Sequence, residues 1–163
     1  MLQPKQPKSA LPYILSAGLL AGTLDISTAF VIYWLRTGKN PLLVCRYIAS
    51  AVFGKTEAYS GSDMMIVAGF LFHYAIAFSF TTLFFLLYPK IYAFIKNKFA
   101  AGIAYGLFVW IIMNIVVLPL TRIPSFNIML SNAVQNIIIL MLAIGLPASL
   151  IANYYYYRKA KDL

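Results

Sequence analysis

Residues 64–89 read MMIVAGFLFHYAIAFSFTTLFFLLYP, a run without a single charged side chain. A helix of this length crosses the ~30 Å hydrocarbon core of a bilayer, because each residue advances the axis by ~1.5 Å. Working outward, three further stretches have the same character. Ala10 to Leu35 carries one charge, Asp25, while Phe99 to Thr121 and Ile123 to Tyr157 carry none. Pro124 and Ser125, near the start of the last stretch, read as a turn. The pattern predicts an all-α polytopic membrane protein with transmembrane helices near 11–35, 64–88, 99–120 and 127–156. These would form one four-helix bundle, a single membrane domain over residues 1–163.

Composition leads to the same place. The chain is 62% hydrophobic and 10% charged, against about 45–50% and ~25% in soluble domains. A core built from so short a chain cannot hide that excess from water. The net charge of +9 raises nucleic acid as a partner. The basic residues sit at the ends of the apolar runs and not in an aromatic-interleaved patch, so nucleic acid is excluded and anionic lipid headgroups are expected instead. Cys45 is the only cysteine, so no intramolecular disulfide forms.

The first run follows Lys5 and Lys8, as in a secretory signal. It is longer than a signal-peptide core and lacks a small-residue cleavage site, which predicts an uncleaved helix. Four crossings put both termini on one side. With that side inside, Lys5, Lys8, Lys90, Lys96, Lys98, Arg158, Lys159 and Lys161 are cytoplasmic, and Arg36, Lys39, Arg46, Lys55 and Arg122 are outside. Eight against five favours cytoplasmic termini. Tyr33, Trp34, Tyr88, Tyr92 and the run Tyr154 to Tyr157 mark the interfaces as aromatic belts.

The first outer loop is the longest. Asn40 and Pro41 suit a helix start, and Gly54 suits a stop. Leu42, Cys45, Ile48, Ala49 and Val52 recur at helical spacing, with Arg46 and Ser50 turned away. A short interfacial helix over 41–53 is expected, with Cys45 a buried, inert thiol. Ala58 to Asp63 reads as a turn, with Ser62 or Asp63 capping the second span.

Polar groups at membrane depth are costly, so the few present are informative. They are Asp25, His73, Asn114, Asn132, Gln135 and Asn136. Counting rise per residue, Asp25 and His73 each lie ~15 Å below the outer ends of their helices, Asn114 about 10 Å, and Asn132 and Asn136 roughly 8–14 Å. All therefore fall in the outer half, at overlapping depths. Gly18, Gly22, Asp25 and Ala29 share one helix face within about 40–60°. The small residues of Gly18 and Gly22 let a neighbouring backbone approach, so Asp25 should face the packed seam. Gly69 and His73 share a stripe, Gly102 and Gly106 form another, and Asn132, Gln135 and Asn136 occupy one side of the last helix.

The simplest assembly is an Asp25–His73 contact ringed by the amides. One reading makes this network interhelical glue. Another makes it a site near the outer face that binds a small ligand, a lipid headgroup or a proton. A small proton- or solute-coupled transporter subunit is the alternative, and an intramembrane acid–base enzyme a further one. The bundle would act as a monomer or homo-oligomer. A haem would need His73 with Met64, Met65 or Met113, but such methionines read as packing, so no cofactor is expected. One Cys and one His cannot supply a structural metal site, so no metal is expected either. Nucleotide-binding loops, zinc-protease motifs and nucleophile elbows are absent. Pro119 should end the third helix, and Gly145 with Pro147 should kink the fourth.

Gly18-Leu-Leu-Ala-Gly22, the long outer loop, the inward His73 and Leu118-Pro-Leu-Thr-Arg-Ile-Pro124 together carry a likeness. In these the chain resembles the YagU-like family of small four-helix bacterial inner-membrane proteins. The resemblance implies a bacterial inner (cytoplasmic) membrane and brings no catalytic residues with it.

Overall fold

A computed structural model describes residues 9–60, 62–123 and 130–157, and every element in them is helical. In chain order these are α1 (Leu11–Thr37), α2 (Leu43–Phe53), α3 (Lys55–Ser60), α4 (Met64–Ile95), α5 (Lys98–Ile111), α6 (Leu130–Leu140) and α7 (Leu146–Tyr157). A π-helical segment, Ile112–Val117, and a 3-10 turn, Leu118–Leu120, extend α5. A second π segment, Met141–Gly145, joins α6 to α7. Four stretches are long and apolar enough to cross a membrane: Leu11–Thr37, Met64–Ile95, Lys98–Leu120 and Asn132–Tyr157. The expected start of the fourth helix at 127–129, the turn at Pro124 and Ser125, and Lys5, Lys8, Arg158, Lys159 and Lys161 lie outside the described residues.

The four stretches form a bundle in which α1 packs on α4 and α7, and α5 packs on α4, α6 and α7. Phe84, Phe85, Tyr88, Tyr105, Ala148 and Ala152 pack with Ala17 and Ala21 into one buried cluster, in the half of the bundle away from α2. Small residues make it dense. A Cβ at Gly145 would land on the Gly102 carbonyl, and one at Gly106 on the Met141 backbone, so α5 and its partner touch main chain to main chain. Gly18 and Gly22 differ from expectation. Side chains of α4, the rings of Phe78 and Tyr74, fill the space above them, not a backbone.

The prolines act differently from one another. Sequence alone ends the second span at residue 88, yet α4 runs through Pro89 to Ile95. Proline lacks the N–H that would bond the carbonyl four residues back, here Phe85. The Tyr156 hydroxyl donates to that carbonyl at 2.9 Å, so the helix continues without an orphaned acceptor. This tyrosine, expected only as belt, therefore also repairs a helix. The two π segments each precede a proline, Pro119 or Pro147, where the wider turn relieves the ring's clash with the preceding turn.

The loop after α1 also departs from its reading. Asn40 accepts the Leu42 N–H at 2.9 Å, but regular helix starts only at Leu43. Gly54 ends α2 with a positive φ of 85°. The turn expected after it is in part a helix, α3, begun with Glu57 in its first turn and seated by the buried Ala58. Arg46 does not turn away. It donates to the Ala58 carbonyl at 2.9 Å and pairs with Asp63 at 3.0 Å, and Ser50 is buried as well. Asp63 is thus drawn from capping α4, while the Met64 N–H reaches the Ser62 hydroxyl at 3.3 Å. α2 lies flat on the first turns of α4, its Cys45 carbonyl directly over Gly69. Cys45 is buried, and burial pushes its thiol up to about 11.

A chamber with charged residues in its wall

Between the helices, at the end that carries α2, lies a cavity of about 710 Å³. α1, α2, α4, the π-extended α5 and α6 all contribute to its wall. Most of the lining is apolar, with Ala29, Ile32, Ile48 and Ile76 typical of it. Against that background the ionisable and amide members stand out, Asp25, Arg36, His73, Asn114 and Asn136, beside the hydroxyls of Tyr33, Thr37, Tyr47 and Thr121.

His73 stands on α4 opposite Gly22, and its imidazole reaches the Gly22 carbonyl. The His73 Nε2 to Gly22 oxygen distance is 2.8 Å. A carbonyl only accepts, so Nε2 carries the proton of that bond. The other ring nitrogen, Nδ1, lies 4.0 Å from Asp25 Oδ2. That is a charge–dipole or ion-pair distance and too long for a hydrogen bond. Asp25 and His73 are thus neighbours, as the sequence depths implied, but each keeps its own surroundings. Among the described residues Asp25 accepts no hydrogen bond, and its carboxylate lies on the chamber wall.

The amides divide into two groups. Asn114 lines the chamber but spends one N–H on its own helix, bonding the Trp110 carbonyl at 2.9 Å. Asn136 also lines the chamber. Asn132 and Gln135 do not join the Asp25–His73 neighbourhood. They turn toward the last turn of α1, where Asn132 Oδ1 accepts from Arg36 Nη1 at 3.2 Å and Gln135 Oε1 accepts from Nη2. The Trp110 ring lines the chamber, and its buried indole N–H has no acceptor among the described residues.

Arg36 is the residue that reading the sequence missed, because it was counted among the loop charges. The signal was present in its spacing. Asp25, Ala29, Ile32, Tyr33 and Arg36 fall at steps of four, seven, eight and eleven residues, all on one helical face. Eleven residues are three turns, so Arg36 lies ~16 Å along the axis from Asp25. Gly18, Gly22, Gly69, Gly102 and Gly106 pack against neighbouring elements and do not themselves line the chamber. No group of three metal-ligating side chains forms among the described residues.

Fold and site together define an all-helical bundle with four membrane-length apolar helices and a polar-studded chamber at one end. No family model, curated protein or solved structure matches the chain.

Proposed function

We propose that this chain is a multi-pass protein of the bacterial inner membrane, YagU-like in layout, whose chamber binds a small, mainly apolar ligand. Its α2 end faces outward and both termini are cytoplasmic, a placement supported by the eight-to-five division of basic residues. One observation carries the reading. The acidic residue and the histidine at membrane depth both lie on the wall of the same cavity, and its size is that of a small-molecule site, ~300–1,000 Å³. Residues that served only as glue would close on each other. Among the described residues Asp25 instead keeps its side chain without a hydrogen bond, and Trp110 a donor without an acceptor.

Binding is better supported than acid–base catalysis. A catalytic imidazole offers one nitrogen to substrate while the carboxylate orients the other. Here Nε2 is committed to the Gly22 backbone, and Nδ1 must serve both Asp25 and any ligand. That arrangement suits a group that holds a polar atom of a ligand at the chamber floor. Native mass spectrometry of protein purified from membranes tests the reading. Wild type should retain a co-purified small molecule, and Asp25→Asn or His73→Ala should release it while the protein stays folded. Variants that lose thermal stability but keep the same adducts would make the pair structural.

A further inference from the structure

We infer that the chamber's ligand carries an anionic head on an apolar body, and that Arg36 recognises the head. This inference rests on the chamber being a ligand site and names the class of ligand. Arg36 is held at the α2 end by two side chains from α6, Asn132 and Gln135, both through amide oxygens. Those contacts orient the guanidinium but bring no negative charge, so its full unit of charge remains. The ion pairs among the described residues are Arg46 with Asp63 and His73 with Asp25, and Arg36 is in neither. A guanidinium has five N–H donors in a planar fork suited to carboxylate or phosphate, and among the described residues two of its nitrogens find partners.

Electrostatics also fixes the direction of the ligand. At the floor an anion would meet Asp25, a side chain with no positive charge in either protonation state, although His73 is near. At Arg36, ~16 Å along the axis, it meets a cation with no ion-pair partner among the described residues. Between the two ends the wall is mostly apolar, with Ala29, Ile32, Ile48 and Val117, and the uncharged Asn114 and Asn136 are its amides. Volume and charge together suit an apolar chain with its head at Arg36 and its tail directed inward. Fatty-acid carboxylates and lipid phosphates share this chemistry.

Trp110 offers a reporter, since its ring lines the chamber and Trp34, exposed on α1, is the other indole. In phosphatidylcholine nanodiscs, Trp34→Phe protein is titrated with three brominated probes of equal chain length: a fatty acid, an alkyl phosphate and a fatty alcohol. Trp110→Phe protein, reporting from Trp34, corrects for probe dissolved in lipid. We expect anionic probes to quench Trp110 about ten- to a hundredfold more tightly than the alcohol, the worth of a charge-assisted contact. Arg36→Gln should bring them down to the alcohol's affinity. Gln135→Glu should do the same, by pairing the guanidinium in place with little change of shape. Quenching by carboxylate alone, phosphate alone or both supports the inference and identifies the source. If the alcohol binds as tightly as the anions, or neither variant weakens them, the anion inference fails while the chamber stands. If no probe reaches Trp110 beyond the lipid background, the chamber reading itself fails.

Discussion

At the end of the bundle away from α2, Phe84 and Tyr88 have no exposed surface and α5 meets its neighbour backbone to backbone at Gly102 and Gly145. At the α2 end the same pair of helices stands apart around a cavity of about 710 Å³. Both halves are built from apolar helices of similar length, so hydrophobicity does not separate them. Side-chain size at the facing positions does. Gly102 and Gly106 let α5 close on Gly145 and Met141, and one and two turns further on Trp110, Met113 and Asn114 hold the helices open. In a bilayer there would be little hydrophobic gain for closing the gap, because lipid tails are as apolar as leucine. The contrast between a dense half and an open half is therefore written in a handful of small residues.

The largest expected effect comes from reversing the roles of the two halves. Gly106→Leu drives a side chain into the Met141 backbone and should destabilise the protein by about 3 kcal/mol, the upper range for overpacking. Ala29→Trp places a much larger group on the chamber wall and should cost under ~1 kcal/mol, because the volume is already there. Unfolding titrations in mixed micelles would compare them. Equal losses would mean the two halves are packed alike.

A smaller effect tests the repair of α4 in the dense half. Tyr156→Phe removes the donor to the Phe85 carbonyl and should cost ~1 kcal/mol, typical of hydrogen bonds between membrane helices. Pro89→Ala restores a backbone N–H to that carbonyl, so the tyrosine change should then cost almost nothing. A double-mutant cycle reads this coupling directly. Additive effects would show that the hydroxyl and the proline are independent.

The smallest effect concerns Cys45, clamped between α2 and α4. With its thiol pushed up to about 11 from an ordinary 9.0, the folded protein holds a proton that the unfolded chain releases. Its contribution to stability is complete below pH 9 and falls away as pH rises toward about 11. Maleimide labelling of the native protein should accordingly be slow at neutral pH and accelerate toward that value. Rapid labelling at pH 7 would mean α2 leaves α4 far more readily than its packing over Gly69 implies.

The spans were legible because membrane length is a local property: an uncharged run declares itself. Depth was legible too, which is why Asp25 and His73 proved to be neighbours at 4.0 Å. What depended on partners far along the chain was not. Pro89 read as a stop because its remedy, Tyr156, comes from another helix. Arg36 read as a loop charge because the amides that aim it, Asn132 and Gln135, lie on α6. Those same amides were grouped with Asp25 by depth alone, which cannot tell the α1 end of a helix face from its floor. α3 was missed because a helix of six residues offers no periodicity to read.

Labelling of Asp25 by an apolar carbodiimide in proteoliposomes tests the open half most directly. Such reagents enter low-polarity sites and modify protonated carboxyls. If the chamber exists and admits apolar molecules, mass spectrometry should find the adduct on the peptide that holds Asp25, and Ala29→Trp should suppress it severalfold. An unmodified Asp25, or equal modification with the chamber filled, would contradict a ligand-accessible cavity at this end of the bundle.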